Sequence, residues 1–518
     1  MARTFLCTKT EPVVQTKAGK LRGFRLDSTY IFQGVEYAWA ERFQPPQPVT
    51  PWEGIKDALS YGYVCPLLHQ ETPNGEVMVP HRYWPMDEHC QNLNIWTQSL
   101  DPKAKRPVLV WLHGGGFSAG SAIEHIAYDG ENMSRRGDVV VVSVNHRLNL
   151  LGYLDLEPFG EKYKNSCNAG NADLVASLRW IRENIESFGG DPDNVTLFGQ
   201  SGGGMKVWTL MQTPSADGLF HKGIVQSGVI EGFGDEQKPD GRKIVTAMLH
   251  ELGLTEQDAA QLETLPYACL AEAYEKVAPG LQRQGVYVGN TPAPNDFYVG
   301  DPRTVGFTEH AKTIPVMVGT VFGEFAFAPG IPTKNDLTEE EKTALVEKKY
   351  SDGGGELIKL FRQAWPEKDL TTLLTLDSMF RAPSQDFIEK KAAHRESPTY
   401  SYLFAYEPPY DGGKTAWHCA EIPFVFHNTC LTPVFNEPGV TDRLEDQMCD
   451  AWLAFAKTGA PGCPALPDWP ACEPGKEQVM VFDRECSLRE NFDKELVALH
   501  KKLAPPFFLM AEDEPIQH

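Results

Sequence analysis

No stretch of the chain approaches the ~20 consecutive apolar residues needed to span a bilayer. The most apolar run, VVVVSV at 139–144, has the length of a strand, so no membrane span is expected. The opening residues MARTFLCTKTEPVV lack the apolar core of ~7–15 residues that marks a secretory signal. On that ground the chain reads as cytoplasmic, with secretion left open if a leader was removed. Positive charge is scarce: 48 Lys and Arg stand against 70 Asp and Glu, a formal net charge of -22. Such a surface repels polyanions and carries no basic stripe, which excludes nucleic acid as an expected partner. The 11 cysteines are odd in number and form no C-x-x-C pair, so they imply neither a zinc site nor a complete disulfide framework.

What the chain does have is apolar material for a large core. Its 518 residues are 42% hydrophobic, and by length alone they would fill several domains. No linker or composition break marks a boundary, however, and no internal repeat is visible. From residue 107 onward, short β-rich runs alternate with amphipathic ones: PVLVWL (107–112), VVVVSV (139–144), NVTLF (194–198), KGIVQS (222–227), IPVMVGT (314–320) and TYSYLFAY (399–406). That alternation predicts an α/β protein with a largely parallel central sheet and helices on both faces. In LVASLRWIRENIESF, residues Leu174, Leu178, Ile181, Ile185 and Phe188 recur in steps of four and three, which is one face of a helix. Residues 1–100 alternate instead with period two, as in VVQTKAGKLRGFRL and YIFQGVEYA, and predict a small antiparallel N-terminal sheet. The regions 235–300 and 335–395 are rich in helix formers and are expected to be helical insertions over the active site.

Two segments match the serine-hydrolase pattern G-x-S-x-G: GFSAG with Ser118, inside HGGGFSAG (113–120), and GQSGG with Ser201. A nucleophile elbow needs a strand running into a tight turn and out into a helix, so that the hydroxyl stands above the sheet. Ser201 has that setting, with VTLF before it and GGMKVWTLMQT after it, up to Pro214. Ser118 is separated from its strand by a glycine loop, and SAIEHIAYDG after it is not clearly helical. HGGG supplies backbone instead, and the expected oxyanion-hole donors are the N–H groups of Gly115, Gly116 and Gly202.

A serine hydroxyl needs an imidazole to accept its proton and a carboxylate to hold the imidazole tautomer. After Ser201 come His221, His250, His310, His394, His418, His427, His500 and His518, and spacing alone does not choose among them. His418 is the best placed, in a loop after TYSYLFAY and before AEIPFVF. Glu324 lies just beyond IPVMVGT, where the carboxyl ends of parallel strands gather functional groups.

Taken together, nearly the whole chain resembles the type-B carboxylesterase family, the cholinesterase-like branch of the α/β-hydrolase fold. The resemblance is carried by GVEYA (34–38), RFQPP (42–46), DEHCQNLNIW (87–96), VWLHGGGFSAG, VNHRLNLLGY, NAGNADLVASLRWIRENIESFGGDPDNVTLFGQSGGG, IVQSG, HCAEIPFVF and WLAFAKTGAP, all in the family's order. It implies one catalytic domain over 1–518 with Ser201 as nucleophile, Glu324 as acid, His418 as base, and Gly115, Gly116 and Gly202 as the oxyanion hole. It further implies that Ser227 orients the acid and that Arg42 and Glu88 form a structural pair. Cys65 and Cys90 match a disulfide of secreted relatives and remain thiols in a reducing compartment. Two departures, Gln200 where the family usually has Glu and GGG (202–204) after Ser201 where it more usually has Ala-Gly, argue against a choline ester and toward a bacterial type of carboxylesterase.

The expected reaction is two-step hydrolysis of a small-molecule ester through an acyl-enzyme, with no metal and no cofactor required. Phe117, Met205, Trp208, Phe327, Trp417 and Phe424 lie close in sequence to these elements and are candidates to line an apolar substrate pocket. Core packing is the competing role for each. Two other readings keep the fold: a binding module without catalysis, and an acyltransferase or amidase using the same residues. Monomer and homodimer both remain open.

Overall fold

The computed structural model describes residues 3–68, 79–232, 240–326 and 334–504. Its central feature is a twelve-stranded sheet, with strands numbered here in chain order: β1 Phe5–Leu6, β2 Phe24–Leu26, β3 Thr29–Glu36, β4 Asn92–Thr97, β5 Arg106–Leu112, β6 Val140–Val144, β7 Gly190–Gln200, β8 Lys222–Gln226, β9 Val316–Val321, β10 Thr399–Phe404, β11 Gln478–Phe482 and β12 Ser487–Glu490. Across the sheet they stand in the order β1-β2-β3-β4-β6-β5-β7-β8-β9-β10-β11-β12. The neighbours from β6 through β11 pair in parallel, and the strands at both edges pair antiparallel.

All six predicted strands form, and the physical reason is burial on two sides. Along β5, Leu109 and Trp111 face one core cluster while Val108, Val110 and Leu112 face the other. A strand covered on both faces reads as a continuous apolar run, not as an alternating one. On one face lies α1, Ala169–Asn184, continued by a 3₁₀ turn Ile185–Phe188; the predicted residues Leu174, Leu178, Ile181, Ile185 and Phe188 are all buried there. The same face receives α2, Gly202–Met211. The opposite face is covered by α4, Thr441–Thr458, through Leu444, Met448, Trp452 and Phe455. Helix α3, Arg381–Ala392, lies in sequence between β9 and β10.

The N-terminal hundred residues divide their strands. Val13–Gln15, Lys20–Arg22 and Ile55–Asp57 make a small separate sheet, whereas β2 and β3 extend the main one through β4. The two regions expected to be helical contain helices Arg242–Glu251 and Tyr267–Gln282, and Glu339–Tyr350, Gly354–Ala364 and α3. Residues 235–239 of the first lie outside the described residues. The first pair packs with Leu148, Leu150, Leu151 and Leu154 into a third apolar cluster that also holds Cys65 and Cys90. Both cysteines are buried free thiols, and burial together with the Cys65 contact pushes the Cys90 thiol well above its ordinary range. No helix among the described residues is long and apolar enough to cross a membrane.

Candidate active site

The parallel strands end side by side, and their registers place the loops that leave them. Leu112 of β5 pairs with Gly199 of β7, and Gln200 pairs with Gln226 of β8, which in turn pairs with Gly319 of β9. His113, Ser201, Ser227 and Glu324 therefore emerge along one edge of the sheet.

Ser201 is held at φ 58°, ψ -126° between β7 and α2. Its N–H donates to the Gln226 carbonyl at 2.8 Å, and its own carbonyl accepts from Met205 N at 3.0 Å. One residue thus ends the ladder and begins the helix, at a positive φ that a serine adopts only under constraint. The glycines make the turn possible. A Cβ on Gly203 would stand 1.9 Å from the Leu112 carbonyl oxygen, and one on Gly202 would stand 2.2 Å from the Gly116 oxygen. That same Gly202 position lies 2.5 Å from the Gly116 amide nitrogen, so the two predicted donor segments meet.

Ser118 has none of these features. It is not among the positive-φ residues, and its backbone N donates to Gly115 O at 3.2 Å inside a loop turn. The next helical element is the short 3₁₀ turn Ile126–Tyr128.

Glu324 is fully buried, and each oxygen is committed. Oε1 accepts from Ser227 Oγ at 2.6 Å and from Val321 N at 3.0 Å, while Oε2 meets His418 Nδ1 at 2.5 Å. The His418 N–H also donates to the Glu324 carbonyl at 3.0 Å, fixing one loop on the other. The imidazole rests against Gln200, whose amide nitrogen is 3.3 Å from both ring nitrogens, so it stands beside the residue preceding Ser201. Two side chains that sequence reasoning missed stack on it: Phe380 at 5.2 Å and Phe325 at 6.4 Å between ring centroids. Phe325 adjoins Glu324 in sequence and could have been noticed there. Phe380, the residue before α3, carried no local signal.

Two further buried carboxyl groups surround this pair. Burial, then the charge of Glu324, pushes both Asp377 and Glu421 up to about 7. Glu421 accepts from Gln226 Nε2 at 3.1 Å, and Gln226 Oε1 accepts from the Trp452 indole N–H at 3.1 Å. A carboxyl whose folded pKa is raised contributes stability below its ordinary range, near 4.3, and loses that contribution as pH climbs through about 7. Glu421→Gln, which mimics the neutral acid and keeps an acceptor for Gln226, is therefore expected to match wild type in stability near pH 4.5. By pH 8 it should exceed wild type by roughly 1–3 kcal/mol, measured as denaturant midpoints across that range. A constant offset at every pH would contradict the assignment.

The expected substrate-lining residues fare differently. Trp417 and Phe424 have no exposed surface and pack with Phe404, Tyr406 and Phe435. Trp208 is buried with its indole N–H donated to the Gly228 carbonyl at 2.9 Å. All three lie within the packed apolar clusters, where bulky apolar side chains next to a sheet edge interdigitate. Phe117 and Met205 are also buried, Phe117 edge-on to Tyr153 at 5.1 Å. Phe327 lies outside the described residues. The Arg42–Glu88 pair forms, with Arg42 Nη1 also reaching the carbonyls of Leu262 and Leu265 at 2.7 Å each. Among the described residues no group of three or more His, Cys, Asp or Glu is disposed to hold a metal ion.

Comparison with known proteins finds a family and esterase relatives. A family model described as the carboxylesterase family matches residues 10–499. A solved esterase from anaerobic Clostridium hathewayi, described as able to hydrolyze aliphatic aromatic polyesters, is 57% identical with a TM-score of 0.94, covering 97% of this chain and 100% of that one. The para-nitrobenzyl esterase of Bacillus subtilis is 30% identical over 94% of this chain and 98% of its own length. The phenmedipham hydrolase of Pseudarthrobacter oxydans is 31% identical over 92% and 96%.

Proposed function

The chain belongs to the carboxylesterase family and is a carboxylic ester hydrolase, and from that premise we propose that it works through a Ser201–His418–Glu324 triad and an acyl-enzyme. The observation that carries the reading is the Glu324–His418 pair lying against Gln200, one residue before a serine held in a strand–turn–helix elbow. With Nδ1 engaged by Glu324, Nε2 of His418 takes the proton of Ser201 Oγ as that oxygen attacks the ester carbonyl. The carbonyl oxygen becomes an oxyanion received by the amide N–H groups of Gly115, Gly116 and Gly202. The C–O bond to the alcohol then breaks, and His418 returns its proton to the leaving oxygen. Water, deprotonated by the same imidazole, attacks the acyl carbon and frees the acid and Ser201.

Aromatic walls at His418 and the polyester activity described for the Clostridium hathewayi relative support esters with aryl or extended aliphatic groups as substrates. The whole chain acts as one catalytic domain in this reading.

A fluorophosphonate probe followed by peptide mass spectrometry tests it: the adduct is expected on Ser201, with loss of p-nitrophenyl ester hydrolysis in step with labelling. Turnover should rise from acidic pH toward neutral, because His418 must be unprotonated at Nε2 to act as the base. An active protein labelled elsewhere, or a flat profile down to pH 4, would reject the triad.

A further inference from the structure

Lys206, on the second turn of α2, is fully buried, and no acidic side chain pairs with it among the described residues. Its ammonium donates to the carbonyl oxygen of His113 at 2.8 Å and stands 5.6 Å from the centre of the Phe117 ring. An unpaired buried ammonium is costly to desolvate, and sites that break the packing rules in this way are commonly functional. Its location is specific. His113 opens the HGGG loop, where Gly115 and Gly116 take φ of 82° and 60°, and a glycine run is the most pliable backbone a chain can offer. The groups facing Lys206 are His113 and His146, stacked at 5.3 Å and both held neutral by burial and by its charge, with Glu124 the one acidic side chain whose charge it feels.

We propose that Lys206 is a positioning residue of the oxyanion hole. It clamps the His113 carbonyl so that the Gly115 and Gly116 amides stay aimed beside Gly202, and it places a positive charge behind the developing oxyanion. Burial pushes the ammonium down to about 7, so its charge is present at and below neutral pH and is lost as pH rises above that. A charge in a low-dielectric interior acts on a neighbouring anion far more strongly than in water.

The inference rests on the esterase reading, and the test separates the two. Lys206→Met keeps the length of the stem without charge or donor, and Lys206→Gln keeps an N–H donor without charge. For hydrolysis of p-nitrophenyl butyrate, Lys206→Met is expected to lose 10- to 100-fold in kcat with KM changed less than about twofold, the pattern of an interaction made in the transition state. Affinity for a trifluoromethyl ketone, which binds as a tetrahedral oxyanion, should fall in parallel, while thermal stability is unchanged or raised because a buried charge has gone. Lys206→Gln should fall between the methionine variant and wild type, and it carries the test by itself if the methionine variant does not fold. A folded variant with wild-type kcat and ketone affinity overturns the proposal, as does a loss that tracks thermal stability or KM alone. A wild-type protein that neither hydrolyses the ester nor labels on Ser201 overturns the esterase reading instead.

Discussion

Ser201→Ala is expected to lower kcat by about 10⁶-fold, because removal of the nucleophile leaves only binding and the oxyanion hole to act on the ester. Ser118→Ala should retain turnover within a few-fold. The hydrogen bonds that hold Ser118 in its loop, from its N–H to Gly115 O and from Asn149 Nδ2 to its carbonyl, are made by backbone atoms that alanine keeps. The pair of variants, measured with one ester at saturation and matched by circular dichroism, decides between the two G-x-S-x-G segments. A dead Ser118→Ala beside an active Ser201→Ala would reverse the assignment.

Glu324→Gln is expected to cost about 10³–10⁴-fold in kcat, and the hydrogen-bond pattern says why. Ser227 Oγ and Val321 N both donate to Oε1, so the glutamine carbonyl must take that place and its NH₂ must face His418 Nδ1. An NH₂ there forces Nδ1 to accept, which puts the ring hydrogen on Nε2, the atom needed as base. The fold should persist, since every backbone contact of Glu324 is retained. Kinetics together with the imidazole ¹⁵N shifts of His418 would show the tautomer change. A variant with near wild-type kcat would mean that Glu324 does not orient the base.

The features legible in the sequence share a local cause. A strand covered on both sides is a continuous apolar run, so β5 through β10 stand out, and the elbow around Ser201 was readable because strand, glycines and helix are consecutive. Local reading failed where partners lie far apart in the chain. β11, paired on both sides, carries the same kind of continuous apolar run, VMVF, whereas the edge strand β12 shows no distinctive run. Trp208, Trp417 and Phe424 stand near Ser201 and His418 in sequence and are buried, because proximity along a chain does not say which face of an element a side chain occupies.

Motifs carried in order along the chain also identified the family, and composition excluded a bilayer span and a nucleic-acid surface among expectations. Tertiary structure alone decided that Phe380, from before α3, stacks on His418, that Asp377 and Glu421 lie buried within reach of the charge on Glu324, and that Lys206 ends on the His113 carbonyl. Local patterns record what a residue's neighbours in the chain require. Charge and packing at a site depend instead on groups brought together through space, and the sheet register that aligned Leu112, Gly199, Gln226 and Gly319 is what assembled them.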